Sequence, residues 1–175
     1  VAEYRRAVGL NPWNVEAHHN LGLLLKQRDD RQGAADQFRK AIAIRPGYAE
    51  THHSLGLLLL QEGDLERAQA HLEKAVSIRP RYDVAWINLG LVFLRRAIRL
   101  QSTDAEAARA QLRHAMDRFK ESIRLRPDGG QAHVAYNNLG ICLTGLGRSA
   151  EALPYLDKAL KLRPNHVPSL YVMVL

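Results

Sequence analysis

The sequence predicts an all-α solenoid of stacked antiparallel helical hairpins, and three observations carry that expectation. A Leu/Ile-x-Pro phrase recurs at near-constant spacing, a Leu-Gly dipeptide recurs at one register between the prolines, and Ala and Leu dominate the apolar set. Of the 175 residues, 46% are apolar but only 6% aromatic. That balance favours close-packed helices over sheets, where β-branched and aromatic residues lead.

Pro12, Pro46, Pro80, Pro127 and Pro164 lie 34, 34, 47 and 37 residues apart, so two units fit a 34-residue repeat, one carries 13 extra residues and one carries 3. Leu21-Gly22, Leu55-Gly56, Leu89-Gly90 and Leu139-Gly140 mark the first helix of each unit. On the second helix come Ala34, Ala68 and Ala152, then Phe38, Leu72, Phe119 and Leu156, then Ala41, Ala75, Ser122 and Ala159. Antiparallel helices approach closely only where side chains are small, so Gly22 with Ala34, and Gly56 with Ala68, are expected at the crossings. A mid-helix glycine costs roughly 0.5–1 kcal/mol against alanine, which packing must offset. Proline then ends the second helix by removing a donor and restricting the residue before it.

Together these marks resemble the tetratricopeptide repeat family, which has this period, across essentially the whole chain. The resemblance implies a right-handed superhelical solenoid whose concave groove, lined by the first helices, takes protein or peptide partners.

The elements follow in order. Residues 1–12 read as the second helix of a preceding repeat, and 13–46 and 47–80 as regular repeats. Their internal turns use Arg28-Asp29-Asp30 and Gln61-Glu62-Gly63-Asp64, where a left-handed residue must close a helix. Residues 81–127 form the third repeat, lengthened near 95–116. Thr103 and Glu106 have capping-box spacing, so the turn is expected there with each helix gaining about six residues, roughly 9 Å of projection at the helical rise. Residues 128–164 form the fourth repeat, turning at Thr144-Gly145-Leu146-Gly147. Residues 165–175 read as a partial first helix of a following repeat, opened by Pro168. Neither end has a polar capping helix, so the segment is expected to come from a longer array.

Two residues before each glycine stand Asn20, Ser54, Asn88 and Asn138. An amide both donates and accepts, so one per repeat would form a ladder reading an extended backbone. Ala-His-His-Asn-Leu-Gly and Tyr-Asn-Asn-Leu-Gly look like the arrays of O-linked N-acetylglucosamine transferases, where a similar ladder occurs; a family-consensus surface amide is the alternative. Leu23, Leu57, Leu91 and Ile141 follow the glycines and suggest a partly apolar groove, with His19, His53, Lys26 and Arg95 also expected to line it. The carboxylate-holding clamp of co-chaperone arrays is not expected, because its places hold residues such as His19, Leu23 and Val84. His18-His19 and His52-His53 diverge by about 100° on a helix, which argues against metal and for packing or groove lining. Arg45, Arg79, Arg126 and Arg163 precede the prolines, where a cation suits the helix dipole or an acidic partner.

The net charge is +7, and residues 95–126 hold nine Lys/Arg against four Asp/Glu. One basic excursion from a near-neutral scaffold does not suggest a specific nucleic-acid binder. Arg99, Arg109 and Arg113 are the candidate secondary surface, for an acidic protein or membrane surface or else for solvent. Cys142 alone excludes a disulfide framework and a multi-cysteine metal site, and leaves the redox compartment open. A cytoplasmic setting is expected, with the periplasm as the alternative; no membrane-spanning run is present. No HExxH, CxxC or Ser/His/Asp order points to catalysis, and no cofactor is implied. The chain therefore reads as a non-enzymatic protein–protein interaction scaffold. Two alternatives remain open: the substrate-recruiting arm of a glycosyltransferase, and an array that self-associates through its ends.

Overall fold

The structure, a computed structural model, describes residues 1–164; the segment 165–175 assigned above to a further helix lies outside them. Within the described residues the chain forms α1 (Ala2–Leu10), α2 (Val15–Gln27), α3 (Arg31–Ile44), α4 (Ala49–Glu62), α5 (Leu65–Ile78), α6 (Asp83–Leu100), α7 (Ala105–Leu125), α8 (Ala132–Gly145) and α9 (Ser149–Leu162), with no strand. None of these helices is long and apolar enough to cross a membrane. The fold is an all-α helical repeat. It divides into two compact units, Val1–Pro80 with α1 to α5 and a second from Arg81 with α6 to α9.

Local chemistry explains where the helices start and stop. Asn14, Asp30, Asp64 and Asp104 each accept a hydrogen bond from the backbone N–H three residues on, at 2.9–3.1 Å, opening α2, α3, α5 and α7. Asp104 rather than Thr103 therefore caps α7, while the Thr103 hydroxyl donates back to the Leu100 carbonyl. The turns between paired helices carry positive φ at Asp29 (60°), Gly63 (83°) and Gly147 (77°), as their sequences demand. Arg45, Arg79, Arg126 and Arg163 are extended, the conformation forced on a residue before proline.

In the first unit α2 packs on α3 and α4 on α5; in the second α6 packs on α7 and α8 on α9. The glycines set how closely. A Cβ on Gly22 would lie 2.6 Å from the Phe38 ring, on Gly56 2.8 Å from Leu72, on Gly90 2.6 Å from Phe119 and on Gly140 2.5 Å from Leu156. The space beside each glycine is thus occupied by the large side chain of the facing helix, which is fully buried in return. The sequence pairs the glycines with Ala34 and Ala68. Both are fully buried, and the Ala68 carbonyl lies 3.3 Å from where a Cβ on Gly56 would stand.

The third hairpin is lengthened unequally. α6 has 18 residues and α7 has 21, against 13 or 14 in α2 to α5, α8 and α9. This departs from the even gain that the sequence suggests. Asp104 is a strong cap and starts the second helix early, so α7 takes the larger share.

Gly90→Ala is expected to destabilise the protein by about 1–2 kcal/mol, because overpacking against Phe119 outweighs the helix-propensity gain. Gly47→Ala, where an added Cβ meets nothing within 4 Å, is expected to stay within about 0.5 kcal/mol of wild type. Urea unfolding midpoints decide between them.

Candidate functional site

The first helices sort their leucines by register. Leu21, Leu55, Leu89 and Leu139, just before the glycines, are 4% exposed or less. The residues just after the glycines behave differently: Leu23 is 39% exposed, and Leu57, Leu91 and Ile141 are half-buried. A step of two residues turns a helix by about 200°, so one side chain enters the hairpin and the other leaves it. Each unit thus carries a strip of apolar side chains on its first helices that the fold does not consume.

Around the strip in the first unit, Asn20 is half-buried, Ser54 buried, and Lys26 and His53 half-buried. A surface cavity of about 490 Å³ opens beside Leu23, Lys26 and Gln27. His19 is buried, its Nδ1 2.9 Å from the Thr51 hydroxyl, so it joins α2 to α4 across the repeat boundary. Its ring lies 5.8 Å from that of Phe38 and 5.4 Å from that of Tyr48. In the second unit Asn88 and Asn138 are buried, and Arg95 is exposed. The Asn138 amide donates 2.8 Å to the Val134 carbonyl of its own helix. Arg99, Arg109 and Arg113 are all exposed, and Arg109 pairs with Glu106 at 2.7 Å.

The paired histidines go separate ways. One ring nitrogen of His18 lies 2.8 Å from Gln37 Oε1 and the other 3.0 Å from the Pro12 carbonyl. His52 repeats this with His71 at 3.1 Å and the Pro46 carbonyl at 3.0 Å. The same register holds Trp86, under the Arg118 guanidinium at 5.7 Å, and Tyr136, stacked on Tyr155 at 6.4 Å. This position is a cross-link between the two helices of every hairpin. Its first member was legible in the recurrence of large side chains; its partner, on the second helix, varies too much in chemistry to show.

The arginines before the prolines pair back to the start of the first helix in their own repeat. Arg45 meets Glu16 at 2.8 Å, Arg79 pairs with Glu50, Arg126 lies 3.9 Å from Asp83 and Arg163 3.5 Å from His133. The arginine side chains are exposed, and such pairs contribute at most about 1 kcal/mol each.

Burial holds His19, His52, His53 and His71 below the ordinary histidine range, and His53 is pushed down to about 4, with nearby Lys26 adding to the effect. Burial also lowers Lys26 and raises Cys142 to about 12, which leaves that thiol a packing residue. Because the unfolded histidines protonate near 6.5 while the folded ones resist, their contribution is fully present above that pH and is lost as pH falls from about 6.5 through 4. Hydrogen bonds to backbone and arginine hold the Glu16 and Asp64 carboxyls below the usual carboxylate range.

Urea midpoints are accordingly expected to fall between about pH 7.5 and 4.5. His71→Gln, which copies the His18–Gln37 pair of the preceding hairpin, should flatten part of that slope, and proton NMR should show His53 still neutral at about pH 5. An unchanged midpoint across the range would contradict this.

Sequence profiles of the tetratricopeptide repeat match residues 25–89 and 133–166. The structure is similar to that of MamA, with a TM-score of 0.74 and 22% identity over 94% of this chain and 86% of that one. It is similar to TTC0263, a thermophilic TPR protein of Thermus thermophilus, with a TM-score of 0.72 and 22% identity over 86% and 75% of the two chains. It also resembles YrrB, a TPR protein with an unusual peptide-binding site, with a TM-score of 0.50 and 22% identity over 98% of each. No curated protein sequence matches the chain. At these identities the likeness speaks to fold alone.

Proposed function

The chain belongs to the tetratricopeptide repeat family, whose members mediate protein–protein interaction, and from that premise we propose that it is a non-catalytic scaffold binding extended peptide or helical segments along its first helices. One observation carries this reading: Leu23, Leu57, Leu91 and Ile141 keep solvent-reachable surface at a register where the residue two positions earlier is fully used by the fold. Apolar side chains repeated along successive helices suit ligand anchors, and amides beside them suit a backbone. Within the first unit Asn20 is the proposed backbone reader, flanked by Ser54, His19, His53 and Lys26; within the second, Asn88 and Asn138 take that role, flanked by Arg95. For Asn138 this requires trading its bond to Val134 for one to the ligand. The peptide-binding site stated for YrrB is in keeping with the reading.

A second reading concerns the long hairpin. α6 and α7 carry the basic window, and Arg99, Arg109 and Arg113 on it are proposed to contact an acidic partner.

Peptides selected from a displayed random library against the protein are expected to lose about tenfold or more in affinity when Asn20, Asn88 and Asn138 become alanine, and similarly with Leu57→Asp and Leu91→Asp. Backbone N-methylation of the peptides should hurt more than scrambling their side chains. Wild-type affinity in the asparagine variant, measured by fluorescence anisotropy, would refute the backbone-reading role. Reversing Arg99, Arg109 and Arg113 to glutamate should weaken acidic probes at low salt and matter little at high salt.

A further inference from the structure

The unequal lengthening of the third hairpin leaves a notch. Where the end of α6, the start of α7 and the last two turns of α8 meet, a cavity of about 280 Å³ opens to the surface. Leu94 and Ile98 come from α6, Ala108 and Leu112 from α7, and Ile141 and Gly145 from α8. The lining is apolar except for Gln101 and Arg109. Gly145 keeps the notch open: a Cβ there would stand 3.0 Å from the tip of Leu112. Ile98 is 61% exposed, one of few large apolar side chains so placed among the described residues. A volume of this size lies below the range that cofactors and drug-sized ligands fill and suits one bulky side chain.

Charge says what surrounds that side chain. Arg109 lines the notch, Arg113 lies one turn further along the same helix, and the window containing them holds five net positive charges. The Arg109–Glu106 pair is exposed on both sides, so it costs little to exchange for a ligand carboxylate.

We propose that this notch docks one leucine or phenylalanine side chain from an acidic peptide segment of a partner protein, with carboxylates on either side meeting Arg109 and Arg113. The proposal rests on the reading of the long hairpin as an acid-binding surface and adds an apolar anchor to it. Charge alone would make that surface indifferent to the central residue of an acidic ligand; the notch makes it selective.

The test uses fluorescein-labelled nonapeptides Asp-Glu-Asp-Glu-X-Glu-Asp-Glu-Asp with X as Gly, Ala, Leu or Phe, and a matching lysine set, titrated into the intact protein at low salt. The acidic Leu and Phe peptides are expected to bind about tenfold more tightly than the Ala peptide, and the lysine set about tenfold or more weakly than either. Gly145→Leu, at the last residue of α8, should fill the notch and abolish the preference for Leu and Phe while leaving the Ala peptide's affinity unchanged. Arg109→Glu with Arg113→Glu should weaken all the acidic peptides together. Should Gly145→Leu fail to fold, as seen by circular dichroism, Ile98→Ser at an exposed position is expected to cut the Leu and Phe peptides about threefold and spare the Gly peptide. Equal affinity for X from Gly to Phe overturns the notch while leaving the charge reading intact; absence of any acidic binding overturns both. Equal binding of phosphatidylserine vesicles by wild type and Gly145→Leu, without peptide selectivity, assigns the face to a lipid surface and overturns the proposal.

Discussion

Every hairpin depends on one contact, a glycine of the first helix seated against a large side chain of the second. Phe38, Leu72, Phe119 and Leu156 occupy the space a Cβ would need on Gly22, Gly56, Gly90 and Gly140. The glycine costs helix propensity, and the contact offsets that by burying a whole Phe or Leu side chain, worth about 1.5–3 kcal/mol relative to exposure. Because this contact fixes which face of the first helix points inward, it also fixes what is left outside. The leucine before the glycine is buried with it, and the residue after it stays reachable. The candidate binding strip is therefore a by-product of the same register that closes the hairpin.

A second layer of contacts ties helix ends and neighbouring repeats together. His18 and His52 reach back to the proline carbonyls preceding them and bridge to Gln37 and His71, while His19 joins Thr51 on the next repeat. The His52–His71 bond runs nitrogen to nitrogen, so at least one ring must supply a lone pair and stay neutral there. That agrees with burial holding both below the usual range. Neighbouring histidines in the sequence thus serve two different joints, and the arginines before the prolines close the far end of each hairpin.

The third hairpin shows how an insertion becomes a surface feature. Eleven of the thirteen additional residues went into longer helices rather than a loop, because helix-forming sequence lies on both sides of Thr103 and Asp104, Ala-rich on the C-terminal side, and Asp104 supplies a cap. α8 remained at 14 residues and ended in glycine. The mismatch between long and short helices produced an apolar notch bordered by arginine.

The sequence by itself determined the repeat, the helix-forming segments, the left-handed turn residues and the strip following each glycine. All of these are local or periodic, and periodicity survives without knowledge of contacts. Asn20, Leu23, Leu57 and Leu91 could be placed on first helices for that reason. Only the tertiary structure decided what each residue meets: that the rings and branched ends of Phe38 and Leu72 fill the space beside the glycines, that Asp104 outcompetes Thr103 as cap, and that Asn138 commits its amide to Val134. It also decided that Leu112 and Gly145 border one cavity. These pairings join residues far apart in the chain, choose among several partners within reach of one side chain, or set rival groups on adjacent residues against each other. Their outcome rests on packing distances of a few tenths of an ångström that no spacing in a sequence encodes.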